Sequence, residues 1–149
     1  MDRYHHTRSL GHLTGLAGRL FNNLLTRRFS EAGIEMTAEQ WGVILVLRNY
    51  GVLTQGQLGE MLHLDKSTVS RSVSGLQRRG WVQCQRTVED GRQKRVSLTS
   101  QAIDVAERCS AIASRVLVDA QAGLDDAAVA ASLEHLSTVV GSLRALNPS

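Results

Sequence analysis

Proline is almost missing from this 149-residue sequence: the single one, Pro148, stands at its penultimate position, and no proline- or serine-rich linker divides the chain. Cysteine is nearly as scarce. Cys84 and Cys109 are the only two, too few for a four-thiolate zinc site, and with this spacing a structural disulfide is not expected. No apolar run is long enough for a membrane span, and the first residues lack the charged-then-apolar pattern of a secretory signal. The expectation is a cytoplasmic chain with reduced thiols and no membrane partner. Five histidines are present, at positions 5, 6, 12, 63 and 135, but none pair at the i, i+4 spacing that sets two imidazoles on one helical face, so no metal is expected. Nucleophile elbows, phosphate-binding glycine loops and paired carboxylates in a plausible cleft are also missing, which leaves no catalytic residue and no cofactor to assign. Internal repeats are absent too.

The net charge of +3 conceals a strong asymmetry. Residues 66–95 hold eight Lys/Arg (Lys66, Arg71, Arg78, Arg79, Arg86, Arg92, Lys94, Arg95) against Glu89 and Asp90, a net +6, whereas the other 119 residues net −3. A local excess of this kind suits a polyphosphate, because each neutralised phosphate releases condensed counterions.

With 42% hydrophobic residues, the chain can build one domain, or one lobe plus an association element. Leu10, Leu13, Ala17, Leu20, Phe21, Leu24 and Leu25 recur every three or four positions, which predicts a helix from about Arg8 to Ala32, closed by Gly33. Thr37 with Gln40 reads as a capping box opening a second helix, apolar nearly all round through Trp41, Ile44, Leu45 and Leu47. Gly51 ends it. Thr54 with Gln57 repeats the box for a short helix carrying Leu58, Met61 and Leu62, and Asp65 caps a fourth. On that fourth helix Val69, Val73 and Leu76 form a core-facing stripe, while Ser67, Arg71, Ser74 and Arg78 share the opposite face, flanked by Thr68 and Ser70. Short hydroxyls beside arginines allow close approach to base edges while offering donors.

Trp81 to Thr87 and Lys94 to Leu98 read as two strands joined by a hairpin tip at Asp90-Gly91. Two short helices followed by a basic hairpin make a helix-turn-helix with a wing. Thr99 or Ser100 then caps a long helix with one apolar stripe (Ala102, Val105, Ala106, Cys109, Ile112, Ala113, Val116, Leu117). Asp125 caps a last helix, with Val129, Leu133, Leu136, Val140 and Leu143 at matching spacing. The terminal helices are too apolar for solvent-exposed arms, so they are expected to pack against a second copy. The expected fold class is thus mainly α with a small β-hairpin wing: a winged helix-turn-helix lobe over 37–99, with its recognition helix at about 66–79 and wing at about 81–98, and a helical dimerisation region over 8–34 and 100–147.

These motifs resemble those of the MarR family of bacterial regulators. Leu53-Thr54-Gln55-Gly56-Gln57-Leu58-Gly59-Glu60-Met61-Leu62 is similar to its first helix-turn-helix element, and Leu64-Asp65-Lys66-Ser67-Thr68-Val69-Ser70-Arg71 to its recognition-helix entry. Leu76-Gln77-Arg78-Arg79-Gly80-Trp81-Val82 is similar to the exit into the wing, and Asp90-Gly91-Arg92 followed by Leu98-Thr99 to its wing signature. The resemblance covers nearly the whole chain. It implies a triangular homodimer that acts mostly as a repressor, in which Asp90 steers Arg92 toward the minor groove, where narrow A·T-rich tracts concentrate negative potential. No ligand or reactive-cysteine signature of the family matches.

The partners expected are double-stranded DNA with a pseudo-palindromic operator, a second copy of the chain, and a small-molecule inducer entering between dimer helices and DNA lobes. For the major groove the candidates are Lys66, Ser67, Thr68, Ser70, Arg71 and Ser74, with Arg71 the best placed for a bidentate contact to guanine. Thr54 and Gln55 stand at a helix N-terminus that attracts phosphate, although capping alone explains Thr54. Arg78, Arg86, Lys94 and Arg95 are assigned to phosphate or nearby solvent, and Asp90 and Arg92 to the wing tip, where an ordinary surface ion pair is the alternative. Two other functions stay open: a winged-helix protein-interaction module, and a redox-sensing regulator using Cys84, for which Arg86 is the nearby cation. Trp41 and Phe21 are left open between core and a stacking surface for an aromatic inducer.

Overall fold

The computed structural model describes residues 5–86 and 94–148. A 3-10 turn (His6–Arg8) leads into α1 (Leu10–Glu31); α2 (Ala38–Tyr50), β1 (Leu53–Thr54), α3 (Gln55–Leu62) and α4 (Lys66–Arg78) follow, then β2 (Val82–Arg86), β3 (Lys94–Leu98), α5 (Ser100–Ala120) and α6 (Asp126–Leu146). One compact body comprises Met1–Ala113 and a second Ser114–Ser149, the boundary falling inside α5.

Helix starts follow local chemistry. Both capping boxes form: Thr37 Oγ1 accepts from Gln40 N at 3.1 Å while Gln40 Oε1 accepts from Thr37 N at 3.0 Å, and Thr54 with Gln57 repeats this at 3.1 and 2.9 Å. Asp125 caps α6 by accepting from Ala128 N. The first helix begins two residues later than its periodicity suggests, because Ser9 is its N-cap and accepts from His12 N. Gly51 and Gly80, with φ of 82° and 76°, terminate α2 and the stretch after α4 at positive φ, which glycine adopts without a Cβ penalty. After Gly80, Trp81 N donates to Leu76 O at 3.0 Å, the long-range bond of a Schellman motif.

The core of the first body gathers Phe29, Val43, Ile44, Leu58, Val69, Val73, Leu76, Val96 and Cys109, each under 2% exposed. Each such side chain contributes roughly 1.5–3 kcal/mol of transfer free energy. Trp41 belongs to this core: it is 4% exposed, and Phe29 meets it edge-on at 6.0 Å between ring centroids. Between α3 and α4 the chain turns through His63, whose φ of 52° is left-handed although it is not glycine. Gly59 allows that turn. A Cβ there would stand 3.1 Å from the Leu64 carbonyl oxygen, and Leu64 N donates to Gly59 O at 2.9 Å.

The sheet has three antiparallel strands in the order β1-β3-β2. The hairpin strands are as expected, but β1 was not foreseen; it pairs Leu53 with Val96 and Thr54 with Arg95. Exposed leucines recur along α1 (Leu10, Leu13, Leu16 and Leu20) and, in the second body, on α5 and α6 and between them (Leu117, Leu124, Leu133, Leu136, Leu143 and Leu146). No helix among the described residues is long and apolar enough to cross a membrane.

Candidate nucleic-acid interface

Helix α4 is built to show one face. Val69, Val73 and Leu76 are buried, and Lys66, Ser67, Ser70, Arg71, Ser74 and Arg78 are exposed, with Thr68 half-buried at the edge. Ser72 is the exception to the polar-outward pattern: it sits in the core side of the helix at 6% exposure. At the N-terminus Asp65 Oδ1 accepts from Thr68 N at 2.7 Å and from Ser67 Oγ at 2.9 Å. The bond from the Thr68 backbone holds the Asp65 carboxyl below its usual range, helped by the Thr68 and Ser67 side chains and by the Arg71 charge. Arg71 Nη2 in turn reaches Thr68 Oγ1 at 3.4 Å, one turn away on the same face. The cap thus fixes Ser67 and Thr68, and Thr68 braces Arg71, while the guanidinium stays exposed.

The N-terminus of α3 lies at the foot of the sheet. Thr54 is at once the last residue of β1 and the N-cap of α3, and its strand partner is Arg95. Pairing therefore sets a third-strand cation beside a helix N-terminus, with half-buried Gln55 as the first helical residue. Further out, Arg86 pairs directly with Lys94 across β2 and β3. Both are exposed. Like charges directly opposite one another are unfavourable in an antiparallel ladder, so the fold itself gains nothing from setting these two cations face to face. Asp90 and Arg92, the wing-tip candidates, lie outside the described residues. Arg78 ends α4 on the exposed side, remote in sequence from the cap that fixes Arg71.

Cys84 faces Val96 in the hairpin and packs against the core. Burial pushes its thiol up from the ordinary range, against a smaller opposing pull from Lys94. Cys109, buried at 0% exposure, is pushed up to about 11, again by burial, with Arg108 opposing. A thiol sensor needs the reverse shift. Groups of three or more His, Cys, Asp or Glu able to hold a metal ion are absent among the described residues.

Two features went unread in the sequence. One is β1, which brings Thr54 and Arg95 together; its only local trace is the extended Leu53-Thr54 step after Gly51. The other is an ion pair between Arg79 and Glu35 that ties the end of α4 to the loop before α2. Arg79 also lies over the Trp81 ring at 5.8 Å.

A helix-turn-helix followed by a two-stranded wing hairpin defines a winged-helix architecture, and comparison with known proteins narrows it. The sequence profile of the MarR family matches residues 34–93. YwoH of Bacillus subtilis (strain 168), an uncharacterised HTH-type transcriptional regulator, is 34% identical over 95 residues, 64% of this chain and 67% of its own length. Among solved structures, PcaV of Streptomyces coelicolor, in complex with its natural ligand, aligns at a TM-score of 0.77 and 25% identity over 96% of this chain and 99% of its own. A mutant MarR from E. coli complexed with operator DNA does so at 0.77 and 25% over 94% and 99%. The chain belongs to the MarR family of transcriptional regulators.

Proposed function

We propose that this chain binds double-stranded DNA as a homodimer in the cytoplasm, represses transcription from a pseudo-palindromic operator, and is released by a small-molecule ligand. The observation that carries the reading is the row Ser67, Arg71, Ser74 and Arg78, exposed along a helix whose opposite row is core. In the major groove this row offers short donors around one guanidinium aimed at guanine. Lys66, Thr68 and Ser70 flank it. Thr54 and Gln55 present a helix N-terminus to phosphate. Arg86, Lys94 and Arg95 approach the backbone beside it, and Asp90 with Arg92 reads the minor groove. Repression is the mode the family mostly uses.

The homodimer is supported by the apolar rows left exposed on α1 and on α6, which a second copy would cover. Two-fold symmetry then demands half-sites about 34 Å apart. Ligand release is supported by the PcaV complex with its natural ligand, and operator binding by the E. coli MarR complex. The test is fluorescence anisotropy on the gene's own upstream intergenic DNA at two salt concentrations. The wild type should retain that fragment over scrambled DNA with a steep salt dependence, and Arg71→Ala should cost about 1–3 kcal/mol per half-site and relax specificity. A wild type with no preference, unchanged by Arg71→Ala, would sink the reading in favour of a protein-interaction module.

A further inference from the structure

A cleft of about 600 Å³ opens within the first body, between the C-terminal half of α1, the loop at 34–37, the start of α2 and the end of α4. It shares Arg78 with the exposed row of α4 but otherwise has a chemistry of its own. Ile34 and Met36, each 3% exposed, give it an apolar wall. Thr26, Ser30 and Thr37 bring three hydroxyls to its rim, and Arg78 brings a guanidinium with no ion pair among the described residues. Glu35, the one acid in the lining, is committed to Arg79. The α2 N-terminus, where Thr37 is the N-cap, adds partial positive charge. Gly75 completes the wall: a Cβ there would stand against the Gln40 side-chain amide nitrogen, so glycine lets α4 close on the capping box of α2.

We propose that this cleft is an effector site for a phosphate monoester carrying a small apolar or aromatic body. The phosphate sits among Arg78, the hydroxyls of Thr26, Ser30 and Thr37, and the α2 N-terminus; the apolar body lies on Ile34 and Met36. A volume of about 600 Å³ exceeds what a bare phosphate fills and suits a small organic molecule. The guanidinium fork and clustered hydroxyls match three phosphate oxygens better than a lone carboxylate. Regulation follows from Arg78. A ligand that holds this side chain withdraws it from the DNA backbone and props the end of α4 against α2, so occupancy weakens operator binding; this step rests on the DNA-binding function proposed above.

The test uses phenyl phosphate as probe, with inorganic phosphate, phenol and benzoate as comparisons, titrated calorimetrically into the full chain and into Thr26→Glu. Thr26 is exposed and has no part in the DNA face, so Thr26→Glu should bind operator as the wild type does. Phenyl phosphate should bind more tightly than the other three and lose at least about tenfold in Thr26→Glu, whose carboxylate faces the phosphate. At matched ionic strength it should also lower operator affinity of the wild type only. No binding, equal binding by Thr26→Glu, or tighter binding of benzoate overturns the proposal. If Thr26→Glu fails to fold by circular dichroism, Ser30→Glu replaces it with the same expectation. Operator binding without probe decides the DNA reading separately: a chain that binds phenyl phosphate as described but no DNA keeps the site and loses its regulatory role.

Discussion

Lys94→Glu should make the protein slightly more stable and much worse at binding DNA. Arg86 and Lys94 are opposite each other in the β2–β3 ladder and both exposed, so the wild-type fold carries a cross-strand repulsion that the substitution turns into attraction. Opposite-charge and like-charge pairs of this kind are each worth roughly 0.2–1 kcal/mol, and solvent screening favours the lower end. For a chain of this size the gain corresponds to a rise in Tm of about 1–3 °C, larger at low salt. On DNA the sign reverses. On the interface proposed above, a dimer loses a phosphate contact in each half, so the slope of log K against log salt should flatten by about 2, and the introduced carboxylate adds repulsion. Thermal denaturation and anisotropy between about 50 and 200 mM salt read both quantities from one preparation. Lower stability, or an unchanged salt slope, would refute the claim that these two cations are kept together for an anionic partner.

The two capping boxes supply an internal control: Thr37→Ala and Thr54→Ala should each cost about 1 kcal/mol in chemical denaturation, yet only Thr54→Ala should also weaken operator binding. Cys109 makes stability sensitive to alkali. Its folded-state thiol, pushed up to about 11 from an ordinary 9.0, stays protonated where the unfolded chain has already ionised, so stability is full below pH 9 and falls as pH rises toward 11, by on the order of 2 kcal/mol. Cys109→Ala should flatten that limb of the curve. Because burial pushes the Cys84 thiol the same way, mild peroxide should leave DNA binding intact, and a loss restored by dithiothreitol would revive the redox alternative.

What the sequence revealed of this fold is what chains encode locally. Each cap at Thr37, Thr54, Asp65 and Asp125 needs only a partner three residues on, and the Val69, Val73 and Leu76 stripe needs only helical periodicity. The unread parts join distant positions. Leu53 pairs with Val96 across 43 residues, Glu35 meets Arg79 across 44, and Arg108 Nη2 donates to Ala32 O across 76. The extended step after Gly51 is too slight a trace to signal a strand of two residues, since its pairing is set by where β3 arrives. Trp41 was undecided for a similar reason: its helix is apolar almost all round, and only Phe29 meeting its ring shows which side is core. Of the candidate interface, the exposed row of α4 was legible, whereas the Thr54–Arg95 and Arg86–Lys94 neighbours required the strand register.

The order β1-β3-β2 leaves β3, the most basic strand, in the middle, paired along its whole length with β2 and at Arg95 and Val96 with β1. Its middle is thus closed to any other chain. The edges left over are β1, only two residues long, and β2, which carries Gln83, Gln85 and a terminal Arg86. Short edges and charged edges both discourage strand addition. The cation that suits a nucleic acid thereby also keeps one wing from zipping onto another at the high local concentrations where regulators crowd along DNA. Variants that neutralise the wing should for that reason be watched for aggregation as well as for lost binding.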